Sequence, residues 1–263
     1  MSNVITHWEG ERWKYSNFFR ENNQNTAIIV CPGPSFKKID IEKLKGPGKT
    51  TMGMNTSYPY FVPDMWVGMD DPRCYQRDLF VQPFPKFLRG PLYEKNFQDY
   101  QVKEMPNVHY VNVNKCKKEA FWKMSGRNVP QFPWHNNTFT IAFSILVHMG
   151  FKNIYLAGCD LNNGKSSYFH QDTNLEGVLK ERNTKLYSVL YDWLEWFVPS
   201  AREKGIRVRS LSPDSIINNL MPFLTVDEMN ERVAKTLPKE GKLWNAFDLQ
   251  EKEKHASVKP STD

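Results

Sequence analysis

Thr26-Ala-Ile-Ile-Val-Cys31, followed at once by Pro32-Gly33-Pro34-Ser35, is the stretch that decides the fold. Ile28, Ile29 and Val30 are β-branched, and no charged residue alternates with them. A short run that is apolar on both faces suits a strand inside a parallel sheet. Pro, Gly and Ser then break it in a tight loop. The same pattern recurs downstream. Thr50 to Asn55 and Met65 to Met69 are apolar runs, and the second leads straight into Asp70-Asp71-Pro72. Lys86–Leu88 and Val108–Val113 also read as strands. Asn153-Ile-Tyr-Leu-Ala-Gly158 ends in Cys159-Asp160-Leu161, and Ile206–Leu211 ends in Ser212-Pro213-Asp214, which opens the next helix.

Helical signals lie between these runs. Ser35 to Leu44 predicts a short helix or turn. Thr138 to Met149 predicts a helix, with Asn137 or Thr138 as its cap and Gly150 as its stop. Val178 to Lys204 carries Leu179, Leu186, Val189, Leu190, Trp193 and Phe197 at 3/4 spacing, the stripe of a core-facing helix. Pro199 would kink it and Gly205 would stop it. The sum predicts an α/β fold: a Rossmann-like, mostly parallel sheet flanked by helices, with an irregular lid or insert. Phe121–His135, rich in aromatics and prolines, reads as an irregular loop. Residues 1–25 read as an N-terminal extension, 26–249 as a single nucleotide-binding catalytic domain, and 250–263 as a disordered polar tail.

Composition excludes some classes. The chain has 263 residues, 40% hydrophobic and 24% charged, which rules out wholesale disorder. No apolar run approaches the roughly 18–20 residues of a membrane-spanning helix. MSNVITHWEGERW shows no basic region followed by an apolar one, so the expectation is a cytoplasmic protein. Cys31, Cys74, Cys116 and Cys159 are too far apart for a zinc knuckle or a C-x-x-C pair, and read as free thiols. A net charge of +6 permits a phosphate-bearing or nucleic-acid partner without requiring one.

In parallel sheets ligands sit at the carboxyl ends of strands. That makes Gly33-Pro34-Ser35, Asn55, Asp70-Asp71, Asp160 and Ser212-Pro213 the candidate site. Small residues at Gly33–Ser35 let backbone N–H groups approach a phosphate, although a plain structural turn explains them equally well. Gly46-Pro47-Gly48-Lys49-Thr50 imitates a phosphate-binding loop. It lacks the earlier glycine, since position 43 is Lys, and no strand precedes it. Asp70 and Asp71 would hold Mg2+ or a ribose, or else cap a turn before Pro72. Asp160 would touch the ligand or orient its loop. His170, in the polar stretch after Asp160, is a candidate general base, with His135 as its rival; His148 is most simply structural.

Several of these pieces carry a family resemblance. Ala27-Ile-Ile-Val-Cys-Pro-Gly-Pro-Ser-Phe-Lys-Lys-Ile-Asp40 resembles the opening strand and turn of the bacterial sialyltransferases of glycosyltransferase family 42. Gly53-Met54-Asn55 looks like that family's next strand end. TFTIAFSILVHMGFKNIYLAGCD, Thr138 to Asp160, resembles its helix and G-x-D strand, and Ile206 to Pro222 its late strand and turn. The order agrees over residues 26–225. Pro63-Asp64-Met-Trp-Val-Gly-Met-Asp70 is instead similar to the strand of the archaeal 6-hydroxymethylpterin pyrophosphokinases, and Gly158-Cys-Asp160-Leu161 to the flagellin-modifying proteins with domain of unknown function 115.

The resemblance implies roles. Gly33, Pro34 and Ser35 would cradle the donor phosphate, and Asn55 would contact phosphate or ribose. Asp70 would bind ribose or a metal. Thr138 would sit beside the leaving phosphate, Asp160 would support the nucleotide pocket, and Ser212 and Pro213 would line it near the base. His170 would be the general base. The implied activity is a sialyltransferase-like glycosyltransferase using a CMP- or UDP-type nucleotide-sugar donor and a glycan or other hydroxyl acceptor. One alternative is a pyrophosphokinase with Mg2+ on Asp70 and Asp71. Others are transfer to modified DNA bases, with the aromatic loop stacking on a base, and a non-catalytic nucleotide-binding module.

Overall fold

The computed structural model describes residues 4–20, 23–90, 96–97, 99–125, 129–161 and 178–237. Among them are eleven strands: β1 (Ile5–Glu9), β2 (Arg12–Tyr15), β3 (Asn23–Val30), β4 (Lys49–Met54), β5 (Met65–Gly68), β6 (Lys86–Arg89), β7 (Val108–Val111), β8 (Val113–Lys115), β9 (Phe132–Trp134), β10 (Phe151–Ala157) and β11 (Arg207–Ser210). Three α-helices accompany them: α1 (Thr138–His148), α2 (Val178–Glu203) and α3 (Val226–Thr236). Nine strands form one sheet in the order β11-β10-β3-β4-β5-β6-β7-β1-β2, while β8 and β9 pair separately. From β11 to β7 every pairing is parallel; β1 and β2 join antiparallel at the far edge. The fold is α/β with a mostly parallel sheet, as the apolar runs predict.

Those runs are apolar on both faces because both faces are covered. Ala27, Ile29 and Cys31 share one core with Met52, Val67, Leu156 and the apolar residues of α1 and α2. Ile28 and Val30 face the other way, toward Phe36, Tyr155, Met229 and Val233, the last two from α3. A third cluster, built on Trp66, Tyr75, Phe80, Leu88 and Tyr110, continues that second face. Short 3-10 turns rather than α-helices connect β3 through β6, including Pro34–Lys38 and Glu42–Leu44. α2 runs on through Pro199.

Three expectations need correction. Residues before 26 are more than an extension: β1 and β2 are strands of the main sheet, and Val4 and Ile5 are fully buried. The stretch 121–135 is ordered where described, with a 3-10 segment at Lys118–Met124 followed by β9. Its rings are core: Phe121 is fully buried and Trp122 stacks on Phe197 of α2 at 5.5 Å. Trp122 and Phe121 are therefore packed on the helix rather than offered to a base. Finally, Ser212-Pro213-Asp214 does not open a helix. A 3-10 turn at Ile216–Asn219 follows, capped by Ser215, and α3 starts only at a Thr225/Glu228 capping box. The proposed tail, residues 250–263, lies outside the described residues. Among the described residues no helix is long and apolar enough to cross a membrane.

Candidate functional site

Strand order reverses at β3. The chain leaves it on one side through β4 to β7, then returns on the other through β10 to β11. Such a switch point is where open parallel sheets place ligands. Here two loops meet closely. The Cys31 amide donates to Ala157 O and the Gly33 amide to Gly158 O, both at 2.8 Å, so the β3–β10 pairing continues past the strand ends. A Cβ on Gly33 would stand 2.2 Å from Gly158 O and 2.5 Å from Asp160 Oδ2. A Cβ on Gly158, whose φ is +69°, would stand 2.3 Å from Cys31 O. Both glycines are required by this approach of backbone to backbone.

Asp160 closes the junction. Its Oδ2 accepts the Ser35 backbone N–H at 2.8 Å, and only 6% of the residue is exposed. Burial pushes the carboxyl above the usual carboxylate range; the Ser35 amide and hydroxyl and the nearby Lys38 pull it back. Lys38 itself pairs with Asp214 at 2.9 Å on the surface. Ser212 is fully buried, and its Oγ accepts the Cys159 N–H at 2.9 Å. Ser215 Oγ donates to Cys159 O at 2.6 Å. Gly33, Ser35, Asp160 and Ser212 are thus brought together in one hydrogen-bonded floor, with Pro213 half-buried at its rim. Cys31 and Cys159 are buried free thiols beneath it; their mutual hydrogen bond, then burial, raises the Cys159 thiol.

A second group stands beside it at the ends of β4 and β5. Asn55 has φ +50°, its carbonyl accepts the Trp66 indole N–H at 2.9 Å, and its Oδ1 is buried without a partner. Gly68 gives the Trp66 and Tyr75 rings room: a Cβ there would come within 2.2 Å of one and 2.7 Å of the other. Tyr75 then bends over the strand end, where its hydroxyl accepts the Asp70 amide at 3.1 Å. Around these residues lies a cleft of about 310 Å³ lined by Asn55, Thr56, Tyr58, Tyr60, Cys74, Tyr75, Gln76, Arg77 and Leu79. Asp64 is structural. It accepts both the amide and the hydroxyl of Thr51, at 2.7 and 2.8 Å, and ties the start of β5 to β4.

Asp70 and Asp71 do not act as a pair. Asp71 caps the turn at Pro72–Cys74 by accepting the Arg73 amide, and the Arg73 guanidinium holds both its oxygens, at 2.9 and 2.7 Å. Only the exposed Asp70 carboxylate is left to face a ligand. A two-carboxylate Mg2+ seat does not fit this donor set. Among the described residues no group of three or more His, Cys, Asp or Glu is arranged to hold a metal.

The third contributor is α1. It is joined to β10 by a two-residue turn at its carboxyl end, which sends its amino end to the carboxyl edge of the sheet. Asn137 caps it through Thr140 N at 2.8 Å. Thr138, 7% exposed, is its first residue, and first-turn amides have no partner within a helix. His135 lies just upstream, with Nε2 buried and unpartnered and its ring 6.2 Å from that of Trp193. Burial lowers its pKa. His170, with the segment 162–177, lies outside the described residues.

Sequence reasoning missed Lys38, Ser215 and Tyr75. Ser215, three residues past Ser212, carried a legible signal as an N-cap before Ile216-Ile217. Tyr75 carried none.

No family model matches the chain, and no curated protein does. It is similar to solved glycosyltransferases. The sialyltransferase CstII from Campylobacter jejuni, solved with cytidine-5'-monophosphate, is 17% identical, over 78% of this chain and 87% of that one, with a TM-score of 0.46. The α-2,3-sialyltransferase Cst-I from the same organism is 15% identical, over 92% and 98%, with a TM-score of 0.47. A MAf glycosyltransferase from Magnetospirillum magneticum AMB-1 is 11% identical, with a TM-score of 0.49; the match covers 89% of this chain but 38% of that one.

Proposed function

We propose that the chain is a nucleotide-sugar-dependent glycosyltransferase acting by direct displacement on an acceptor hydroxyl. The observation that carries this reading is a convergence. The stretches with the glycosyltransferase resemblance begin at residue 27 and end at 222, and their loop residues Gly33–Ser35, Asn55, Thr138, Asp160 and Ser212 all end on one edge of the sheet, beside the strand end at Asp70. A donor phosphate would lie over the Gly33–Ser35 turn, facing the amino end of α1. Asn55 and Asp70 would meet ribose or sugar, and Ser212-Pro213 would line the base pocket, with Asp160 supporting it. The donor is of the CMP or UDP type, the acceptor a glycan or another hydroxyl compound.

In the reaction a base takes the acceptor O–H proton and the acceptor oxygen attacks the anomeric carbon. The bond from that carbon to the nucleotide phosphate breaks, and the electron pair stays on the phosphate. First-turn amides of α1 and the Thr138 hydroxyl would stabilise that charge. His170 is the proposed base. His170→Ala is expected to lower kcat by about 10²–10⁴-fold with donor affinity unchanged, and to remove the acid limb of the pH–rate profile. The reading is tested by incubating the protein with CMP-, UDP- and GDP-sugars and acceptor hydroxyls, with and without EDTA. Absence of nucleotide release from every donor would overturn it.

A further inference from the structure

The cleft at the ends of β4 and β5 has a chemistry of its own. Tyr58, Tyr60 and Tyr75 line it with rings, of which Tyr60 is the exposed one, and Asn55, Thr56 and Gln76 add amide and hydroxyl side chains. At about 310 Å³ it is at the small end of ligand pockets, the size for one ring rather than a nucleotide. Half-exposed Tyr60 stands at its mouth. Aromatic faces for ring C–H groups, combined with side-chain amides and hydroxyls for ring hydroxyls, suit a pyranose.

Its charges decide which pyranose. Among the described residues Arg77 is the one cation in the lining, and it is occupied elsewhere. Its guanidinium pairs with Asp99 and lies over the rings of Tyr100 at 5.1 Å and Phe97 at 5.8 Å. Arg73, nearby, is held by Asp71. The carboxylates Asp70 and Asp78 have no cationic partner among the described residues. Asp78 accepts the Tyr58 hydroxyl at 2.7 Å, and with burial it raises that phenol to about 12. Asp70 sits beside the Tyr75 hydroxyl, which burial and Asp70 raise further. The field in the cleft is therefore negative, and among the described residues none of the nearby guanidinium groups is free for a sugar carboxylate.

We infer that this cleft binds the sugar ring of a neutral hexose, and that it discriminates against carboxylated sugars such as sialic acid. The inference rests on the glycosyltransferase reading only in calling that sugar the donor's. Two measurements separate them. The first is saturation-transfer NMR on the full chain with methyl α-D-glucopyranoside, methyl α-D-mannopyranoside and the methyl glycoside of N-acetylneuraminic acid. The neutral glycosides are expected to bind about tenfold or more tightly than the sialoside. Tyr60→Ala is expected to weaken them by about tenfold with an unchanged Tm, because Tyr60 is half-exposed. Asp99→Asn, which releases Arg77, is expected to narrow the preference. The second is calorimetry with CMP, UDP, CMP-N-acetylneuraminic acid, UDP-glucose and GDP-mannose. Nucleotide binding with a preference for the sialoside overturns the inference and leaves the transferase reading standing. Neutral glycosides bound through Tyr60 with no nucleotide bound keep the sugar site and overturn the transferase reading. Failure of every glycoside to bind, or an unchanged Tyr60→Ala, overturns the inference.

Discussion

His109 should make this protein acid-labile, and the size of the effect follows from its surroundings. The residue lies in β7, 2% exposed, between the rings of Phe18 and Phe87. Its Nδ1 is 2.8 Å from Ser16 Oγ, and the same hydroxyl is 2.8 Å from His7 Nδ1. Ser16 has one proton, so it donates to one ring and accepts from the other, which suits two neutral imidazoles. Burial, with His7 and Lys86 adding to it, pushes His109 down to about 3. The unfolded chain takes up this proton near pH 6.5, the folded chain only near 3. Stability is therefore full above pH 6.5 and falls as pH drops through that window. The loss is about 1.4 kcal/mol per pH unit, or about 3 kcal/mol between pH 6.5 and 4.5. A domain has roughly 5–15 kcal/mol to lose. His109→Phe keeps a ring in the site and removes the titration. It is expected to cost about 1 kcal/mol at pH 7.5 through the lost Ser16 bond, and to flatten the stability–pH slope by about one proton. Urea unfolding followed by tryptophan fluorescence at pH 7.5, 6.5, 5.5 and 4.5 measures both. Parallel curves for the two proteins would refute the reasoning.

Lys86, fully buried on β6, shows the same sign in a higher pH window: its Nζ donates to Gln82 O at 2.5 Å, and burial lowers it to about 7. Lys86→Met should raise the urea midpoint at pH 7, with a gain that shrinks as pH approaches 10, where wild-type Lys86 is neutral when folded and losing its proton when unfolded; a constant gain would count against this. Gly33→Ala should cost about 1–3 kcal/mol and weaken nucleotide binding, because its new Cβ would stand 2.2 Å from Gly158 O and force the two loops apart. An unchanged Tm would show that the loops yield freely. Asp160→Asn keeps an acceptor for the Ser35 amide and removes a buried charge. Wild-type Asp160, with its raised pKa, loses stability as pH rises through the folded value, so the variant should gain most at pH 8 and least in acid. Asp160→Ala removes the same charge but leaves the Ser35 amide without an acceptor, so it should be less stable than Asp160→Asn by about 1–3 kcal/mol at every pH, and equal Tm values for the two variants would sink the argument.

Much of this was legible in the sequence, for a physical reason. β3, β4, β5 and β10 are buried on both faces, so their apolar runs stand out and their carboxyl ends can be located within a residue or three. The site residues are legible as strand ends. Their partners are not: the Ser35–Asp160 bond spans 125 residues, and no local pattern announces it. Asp71 was half legible, since Asp-Pro-Arg is a local capping turn, and that reading prevailed over the metal one. β1 and β2 escaped because an edge hairpin is only half-buried and draws its order from β7, a hundred residues on. The rings of 121–125 looked like a loose loop because their cover, α2, arrives some seventy residues later.

The β1–β2 hairpin has a consequence for synthesis. Its partner across the sheet, His7 opposite His109, follows it by 102 residues. At roughly 5–20 residues per second the ribosome takes on the order of 5–20 s to supply β7. Over that interval Trp8, Trp13 and Tyr15 wait without a sheet to join. Glu9, Glu11, Arg12 and Lys14 are interleaved with those rings, and charges on an edge strand discourage pairing with the wrong neighbour. The polar half of this hairpin, which hid it from a reading of hydrophobic runs, is also what keeps the nascent chain from sticking before β7 emerges.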